Sequence, residues 1–145
     1  VIAAGNLNHA KSIAEEVGVF FNPACDHVIS RARSGRLLGG VIFTGYTTKS
    51  IAIHVAGFDK HWINSDMLWI TFDYPFNQLG VTKLIGHVPS SNPKALDFNR
   101  KLGFKEEARV ADVYPDGDLV ILSMHRDNCR WLKLRPRSSK GLLDG

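Results

Sequence analysis

The chain has 145 residues, 44% hydrophobic and 22% charged, the proportions of one ordinary globular domain with a real core. No apolar run approaches a membrane span, and the N-terminus carries no signal-peptide pattern. Cys25 and Cys129 show neither metal-ligand spacing nor a disulfide framework, so a reduced, cytoplasmic protein is expected. The formal net charge of +4 comes from the end of the chain: residues 126–145 hold six of the 18 basic residues and only two acids.

Asn6 to Val17 reads as an amphipathic helix, capped by Asn6 or Asn8, with Ile13, Ala14 and Val17 on its apolar side and Gly18 as its stop. Phe20-Phe21-Asn22-Pro23 reads as a loop, since a proline pushes the residue before it out of helical geometry. Three strands follow: His27 to Ala32, Leu37 to Thr44, and Ser50 to Gly57. Their connections are the turns Arg33–Arg36 and Gly45–Lys49, so they predict an antiparallel meander. Gly39-Gly40 marks a bulge or a weak point in the middle strand.

After the loop Phe58–Trp62, a cap at Asn64, Ser65 or Asp66 opens a longer helix with Leu68, Phe72, Phe76 and Leu79 on its apolar side. Pro75 removes one backbone hydrogen bond and predicts a kink near Thr71; Gly80 ends the helix. The next strand, about Lys83 to Val88, follows a crossover helix and is expected to run parallel to the Ser50–Gly57 strand. Asn92-Pro93 then opens another helix, in which Asn caps and Pro loses no useful N–H. Ala95, Phe98 and Leu102 form its buried stripe, Gly103 takes the left-handed C-terminal position, and Phe104 packs back. Glu106 to Val113 and Asp118 to Met124 make a hairpin around Pro115-Asp116-Gly117. The expected order is α-β-β-β-α-β-α-β-β, an α+β fold with a mixed, mostly antiparallel sheet.

Val81 to Phe104, with Asn92, Ala95 and Gly103-Phe104 at their spacing, resembles the acetyl-CoA motif of the GNAT N-acetyltransferase superfamily. The run Phe76–Val81 resembles the branch that includes ribosomal-protein N-terminal acetyltransferases, and Met124–Leu132 resembles the ending of small phage and prophage members. The resemblance spans about residues 36–132, and residues 1–132 are read as one domain. The remaining 13 residues are expected to form a basic, flexible, solvated tail. No stacking aromatic follows Trp131, so nucleic acid is not an expected partner.

The resemblance implies an α/β/α fold whose parallel strand pair splays at the cofactor site. It also implies acetyl-CoA as acetyl donor and a primary amine as acceptor: a protein N-terminus, a lysine or a small amine. Cofactor contacts are then expected from Val55, Ala56 and Gly57 for the pantetheine arm and from Trp62, Asn64 and Ser65 for the phosphates. Asn92, Lys94, Phe98 and Arg100 complete the set. The N-terminal part would form the acceptor side, and pairing of two copies is compatible with the superfamily.

Two departures matter. The loop before the Asn64 helix, Lys60–Asp66, lacks the glycines by which family members bring backbone to pyrophosphate. The family's tyrosine acid falls at Asn99, and an amide cannot donate as an acid. His54, on the strand beside the reacting carbonyl, is the candidate base because histidine ordinarily titrates near neutrality. Tyr74 and Tyr114 are the candidate replacement acids. The remaining histidines have no paired metal spacing, and no metal is expected. The same departures support a second reading, a GNAT-fold module that binds CoA or a protein with weak or no catalysis.

Overall fold

The computed structural model describes residues 1–134, so the expected tail falls, beyond Leu134, outside the described residues. The elements in chain order are β1 (Ile2–Ala4), α1 (Leu7–Val17), β2 (His27–Arg33), β3 (Arg36–Thr44), β4 (Ser50–Gly57), α2 (Ser65–Asp73), β5 (Lys83–Pro89), α3 (Pro93–Leu102), β6 (Lys105–Tyr114) and β7 (Gly117–His125). They build one seven-stranded sheet in the order β1-β2-β3-β4-β5-β7-β6. Every neighbouring pair is antiparallel except β4 and β5, which run parallel as the crossover through α2 requires. The expected α+β architecture is therefore present, with one addition. β1 precedes the first helix and pairs with β2, Ala3 opposite Ser30. At three residues it is too short to leave a periodic signal.

The two faces of the sheet are covered by different helices. On one, Ala10, Ile13 and Ala14 of α1 pack on Val28, Ile42 and Ala56. On the other, Met67, Ile70 and Phe72 of α2 and Leu96 and Leu102 of α3 cover Ile29, Val41, Phe43, Ile51, Ile53 and Leu84. Neighbours such as Val28 and Ile29, or Ile42 and Phe43, thus go to opposite faces, as the two-residue strand period dictates.

All three helices start on asparagine: Asn6, Asn64 and Asn92 accept from the N–H groups of His9, Met67 and Ala95. Gly18 and Gly103 end α1 and α3 in the left-handed conformation, at φ 72° and 110°. The α-helix does not run on through Pro75. Instead Tyr74–Gln78 forms a π-turn, in which the N–H of Leu79 donates to the carbonyl of Tyr74, five residues back. The guanidinium of Arg126 donates to the carbonyl of Phe76 in this turn (2.6 Å).

The bulge expected at Gly39-Gly40 lies where Arg31 pairs with Gly39 but Ala32 pairs with Leu37. Both glycines also serve packing. A Cβ at Gly39 would come within 2.7 Å of the Trp62 ring, and one at Gly40 within 2.6 Å of Ile13.

Candidate active site

The parallel ladder between β4 and β5 runs from Ser50–Lys83 to Ile53–Gly86 and stops there, although both strands continue. His87 to Pro89 stay paired with β7, so β5 leaves β4 rather than ending. This opens a gap beside residues 54–57. Backbone polar groups of alternate strand residues point to opposite edges. The N–H of Phe58 donates to Leu38 on the β3 side (2.8 Å). By that alternation Ala56 and His54 also turn toward β3. Val55 and Gly57 turn their N–H and C=O groups into the gap, a free edge of the kind that pairs with an amide-containing chain.

Two helix N-termini border the same end of the sheet. Asn64 caps α2, leaving the N–H of Ser65 as a first-turn donor without an intrahelical partner. Asn92 caps α3 through its side-chain oxygen (3.1 Å to the N–H of Ala95), which leaves its amide N–H₂ pointing elsewhere. Lys94 is exposed in the first turn of α3. Such termini favour anions through their outward N–H groups and their dipoles.

The loop from β4 to α2 is built without glycine, and charge holds it instead. Asp59 accepts from the N–H of His61 (2.8 Å) with its carboxylate and from the N–H of Trp62 (3.0 Å) with its carbonyl. Arg36 pairs with the same carboxylate at 2.7 Å. The His61 N–H and then the Arg36 guanidinium hold the Asp59 carboxyl below its ordinary pKa. Arg31 donates to the carbonyls of His61 and Trp62 (2.7 and 2.9 Å), drawing them to the β2–β3 side. Trp62 then lies buried over Gly39 and Gly57, with its ring 6.5 Å from that of Phe98 on α3. The structure therefore brings Val55, Gly57, Trp62 and Phe98 to the gap, with Asn64, Ser65, Asn92 and Lys94 at its mouth. Ala56 turns its side chain into the α1 core. Arg100 lies two turns down α3, facing Glu106 at 3.6 Å, apart from the helix start.

Asn99 sits at the apex of the gap. Its amide donates to the Ala95 carbonyl (2.8 Å), and its oxygen would be 3.7 Å from a Cβ on Gly86, the last β5 residue in the parallel ladder. Of the two tyrosines, one lies elsewhere. Tyr74 is hydrogen-bonded through its hydroxyl to His27 Nδ1 (2.9 Å) and packs on Phe43, toward the other end of the sheet. Burial pushes its hydroxyl pKa up. Tyr114 ends β6 opposite Gly117, at the tip of the β6–β7 hairpin.

His54 is on the α1 face of β4, with Nε2 3.0 Å from the Thr44 hydroxyl. Burial above all, and then the neighbouring His87, push its pKa down to about 4; Asp26 acts weakly the other way. The expectation of titration near neutrality is thus corrected: His54 is a neutral, weakly basic imidazole. Sequence reasoning passed over His87, the exposed residue on β5 whose ring stacks 6.2 Å from that of His54. Only the parallel register puts these two histidines on one face, so nothing local in the chain pointed to it.

No family model and no curated protein matches this sequence. Solved structures do match its fold. A point mutant of spermidine N-acetyltransferase SpeG from Vibrio cholerae aligns with a TM-score of 0.70 and 16% identity, over 92% of this chain and 96% of that one. The dodecameric form of the same enzyme in an intermediate state gives 0.68 and 16%, over 88% and 94%. The Campylobacter jejuni N-acetyltransferase PseH, solved with acetyl coenzyme A, gives 0.56 and 19%, over 83% and 77%. The fold is the GNAT acetyltransferase fold, as the resemblance implied.

Proposed function

We propose that this protein is an N-acetyltransferase that moves an acetyl group from acetyl-CoA to a primary amine in a ternary complex. The observation that carries this reading is the free edge of β4, with Val55 and Gly57 turned into the gap and the capped starts of α2 and α3 at its mouth. A pantetheine arm has amides that can pair with Val55 and Gly57 as a strand would. Its phosphates suit the Ser65 N–H, the exposed Lys94 and the free amide of Asn92. Trp62 and Phe98 supply an apolar wall for the arm. The residues present fit the donor without a glycine loop, because Arg31, Arg36 and Asp59 fix the β4–α2 connection by charge.

With the thioester carbonyl beside Val55, its N–H stabilises the oxyanion that forms when the amine attacks. Collapse breaks the C–S bond and releases thiolate. Among the described residues no side-chain acid stands at the apex, since Asn99 has none to give, so the thiolate takes its proton from the attacking nitrogen or water. A protein N-terminus, a lysine and a small amine all satisfy this chemistry. The sequence resemblance favours the first, and the spermidine enzyme among the structural relatives favours the last.

The alternative is a GNAT-fold module that binds CoA or a protein partner and turns over little. The packing of Trp62 against Phe98 beside the gap, together with Asn99 at its apex, supports that reading. An acceptor screen separates the two. Purified protein, acetyl-CoA and panels of peptides, lysine and polyamines are followed by mass spectrometry. The enzyme reading predicts a +42 Da acetyl adduct (the approximate mass of one acetyl group) on at least one amine, above the rate without protein; its absence on all favours the module.

A further inference from the structure

If the acetyl-transfer reading above holds, the acceptor amine must lose a proton before it can attack, because an alkylammonium has no lone pair. The neutral His54 is a poor acceptor for that proton. It is largely buried, and its Nε2 is already engaged with Thr44. The other imidazole at this place differs on each count.

His87 is the first β5 residue beyond the last parallel pair, Ile53–Gly86, and so stands at the rim of the gap. It shares the α1 face of the sheet with His54, their rings stacked at 6.2 Å with an interplanar angle of 22°. It is exposed, and among the described residues neither of its ring nitrogens has a hydrogen-bond partner. Among the described residues α1 packs on β2, β3 and β4, and His87 beside it is exposed, so an acceptor can approach from that side.

We propose that His87 is the catalytic base of this site, taking the proton of the acceptor ammonium at a ring nitrogen before the amine attacks the thioester. The electron pair freed on nitrogen forms the new C–N bond. The C–S bond then breaks, the thiolate takes the second nitrogen-bound proton, and His87 gives its proton to solvent. Atoms and charge balance with no further reagent.

His54 acts as a positioning residue. Tied to Thr44 and kept neutral by burial, it offers His87 a ring to stack on without a like charge opposing the incoming proton. Asp26, from the loop between α1 and β2, is the carboxylate whose field reaches His54. On β5 and β6, Lys83 and Glu107 form an ion pair at 2.7 Å.

The test compares two acceptors in the whole protein. An alkylamine such as spermidine is protonated at neutral pH and needs a base; hydroxylamine is already unprotonated there and does not. Both are assayed with wild type, His87→Ala, His87→Gln and His54→Gln, and acetyl-CoA affinity is measured for each. The proposal expects both His87 variants to lose about 100-fold or more in alkylamine turnover, the usual size of a lost general base. Hydroxylamine acetylation and acetyl-CoA binding should stay near wild type, and added imidazole should restore part of the alkylamine rate in His87→Ala. His54→Gln should lower the same rate less.

Equal loss with both acceptors, or no loss with either, would overturn the role of His87 while leaving the transfer reaction standing. Wild type that binds acetyl-CoA and acetylates hydroxylamine but no alkylamine would also overturn it. Failure of wild type to bind acetyl-CoA would overturn the transfer reading itself, and the base with it.

Discussion

The indole of Trp62 lies directly against the α-carbon of Gly57, so that any β-carbon on Gly57 would overlap the ring. A Cβ on Gly39, opposite Gly57 on β3, would come within 2.7 Å of the same ring. Two glycines on adjacent strands thus make the seat for one aromatic side chain beside the cofactor gap.

Gly57→Ala is therefore expected to destabilise the fold by about 1–3 kcal/mol, the usual result of overpacking a filled site. Trp62→Ala should destabilise by about 3–5 kcal/mol through the cavity it leaves. Urea unfolding followed by circular dichroism measures both. If Trp62 packs as described, Gly57→Ala combined with Trp62→Ala will lose less than the two separate losses together.

His54 gives the protein an acid-sensitive fold. Its pKa is lowered from 6.5 to about 4 on folding, so the unfolded state binds the proton more readily. Stability must then rise with pH across this window, and fall as pH drops from 6.5 toward 4. The contribution reaches about 3 kcal/mol once both states are below their pKa values. Unfolding curves at pH 7, 5.5 and 4.5 should show a shallower acid loss for His54→Gln than for wild type. Parallel curves would mean that His54 is as easily protonated in the fold as outside it.

The two arginines that hold the β4–α2 loop should differ in weight. Arg31 is partly buried and makes two bonds to main-chain carbonyls, so Arg31→Met is expected to lose about 2 kcal/mol. Arg36 makes one exposed ion pair with Asp59, and Arg36→Ala should lose less than about 1 kcal/mol. Thermal unfolding of the two variants tests that order. On the proposed function, Arg31→Met should also weaken acetyl-CoA binding, since the loop carries the start of α2.

Asn92 has a cap function that can be separated from a ligand function. Asn92→Ala should lose about 1 kcal/mol of stability, and Asn92→Ser should restore most of it by keeping an oxygen for the N–H of Ala95. If the free amide N–H₂ touches cofactor, Asn92→Ser will stay defective in acetyl-CoA binding after stability is recovered. Equal affinity in wild type and both variants would leave Asn92 a cap alone.

Local signals carried most of the fold. The asparagine caps, the glycine stops at Gly18 and Gly103, and the turn at Pro115–Gly117 all mark single positions whose geometry few residues can adopt. The crossover through α2 dictates that β4 and β5 run parallel. The misses are of another kind. β1 is three residues long and gains its place only by pairing with β2. The π-turn after α2 depends on Tyr74 accepting from Leu79, a five-residue bond that a proline signal does not announce.

The site was legible in its backbone and less so in its side chains. Residues 54–57 border the gap and Asn92 caps α3, because a strand, a turn and a capped helix each leave a local signal. Tyr74 and Tyr114 were chosen by residue type, and the fold gives Tyr74 other surroundings, against His27. His87 needed the register between β4 and β5, and the loop's bonding by Arg31 needed three strands brought together. Those are tertiary facts, and no spacing along the chain encodes them.

Titration of the purified protein with acetyl-CoA, following heat release, tests the central claim most directly. The account predicts saturable one-to-one binding in the micromolar range, weakened when Arg31 is replaced by methionine. Absence of binding at millimolar acetyl-CoA would contradict it, and would mean that the gap beside β4 is a feature of the fold without its cofactor.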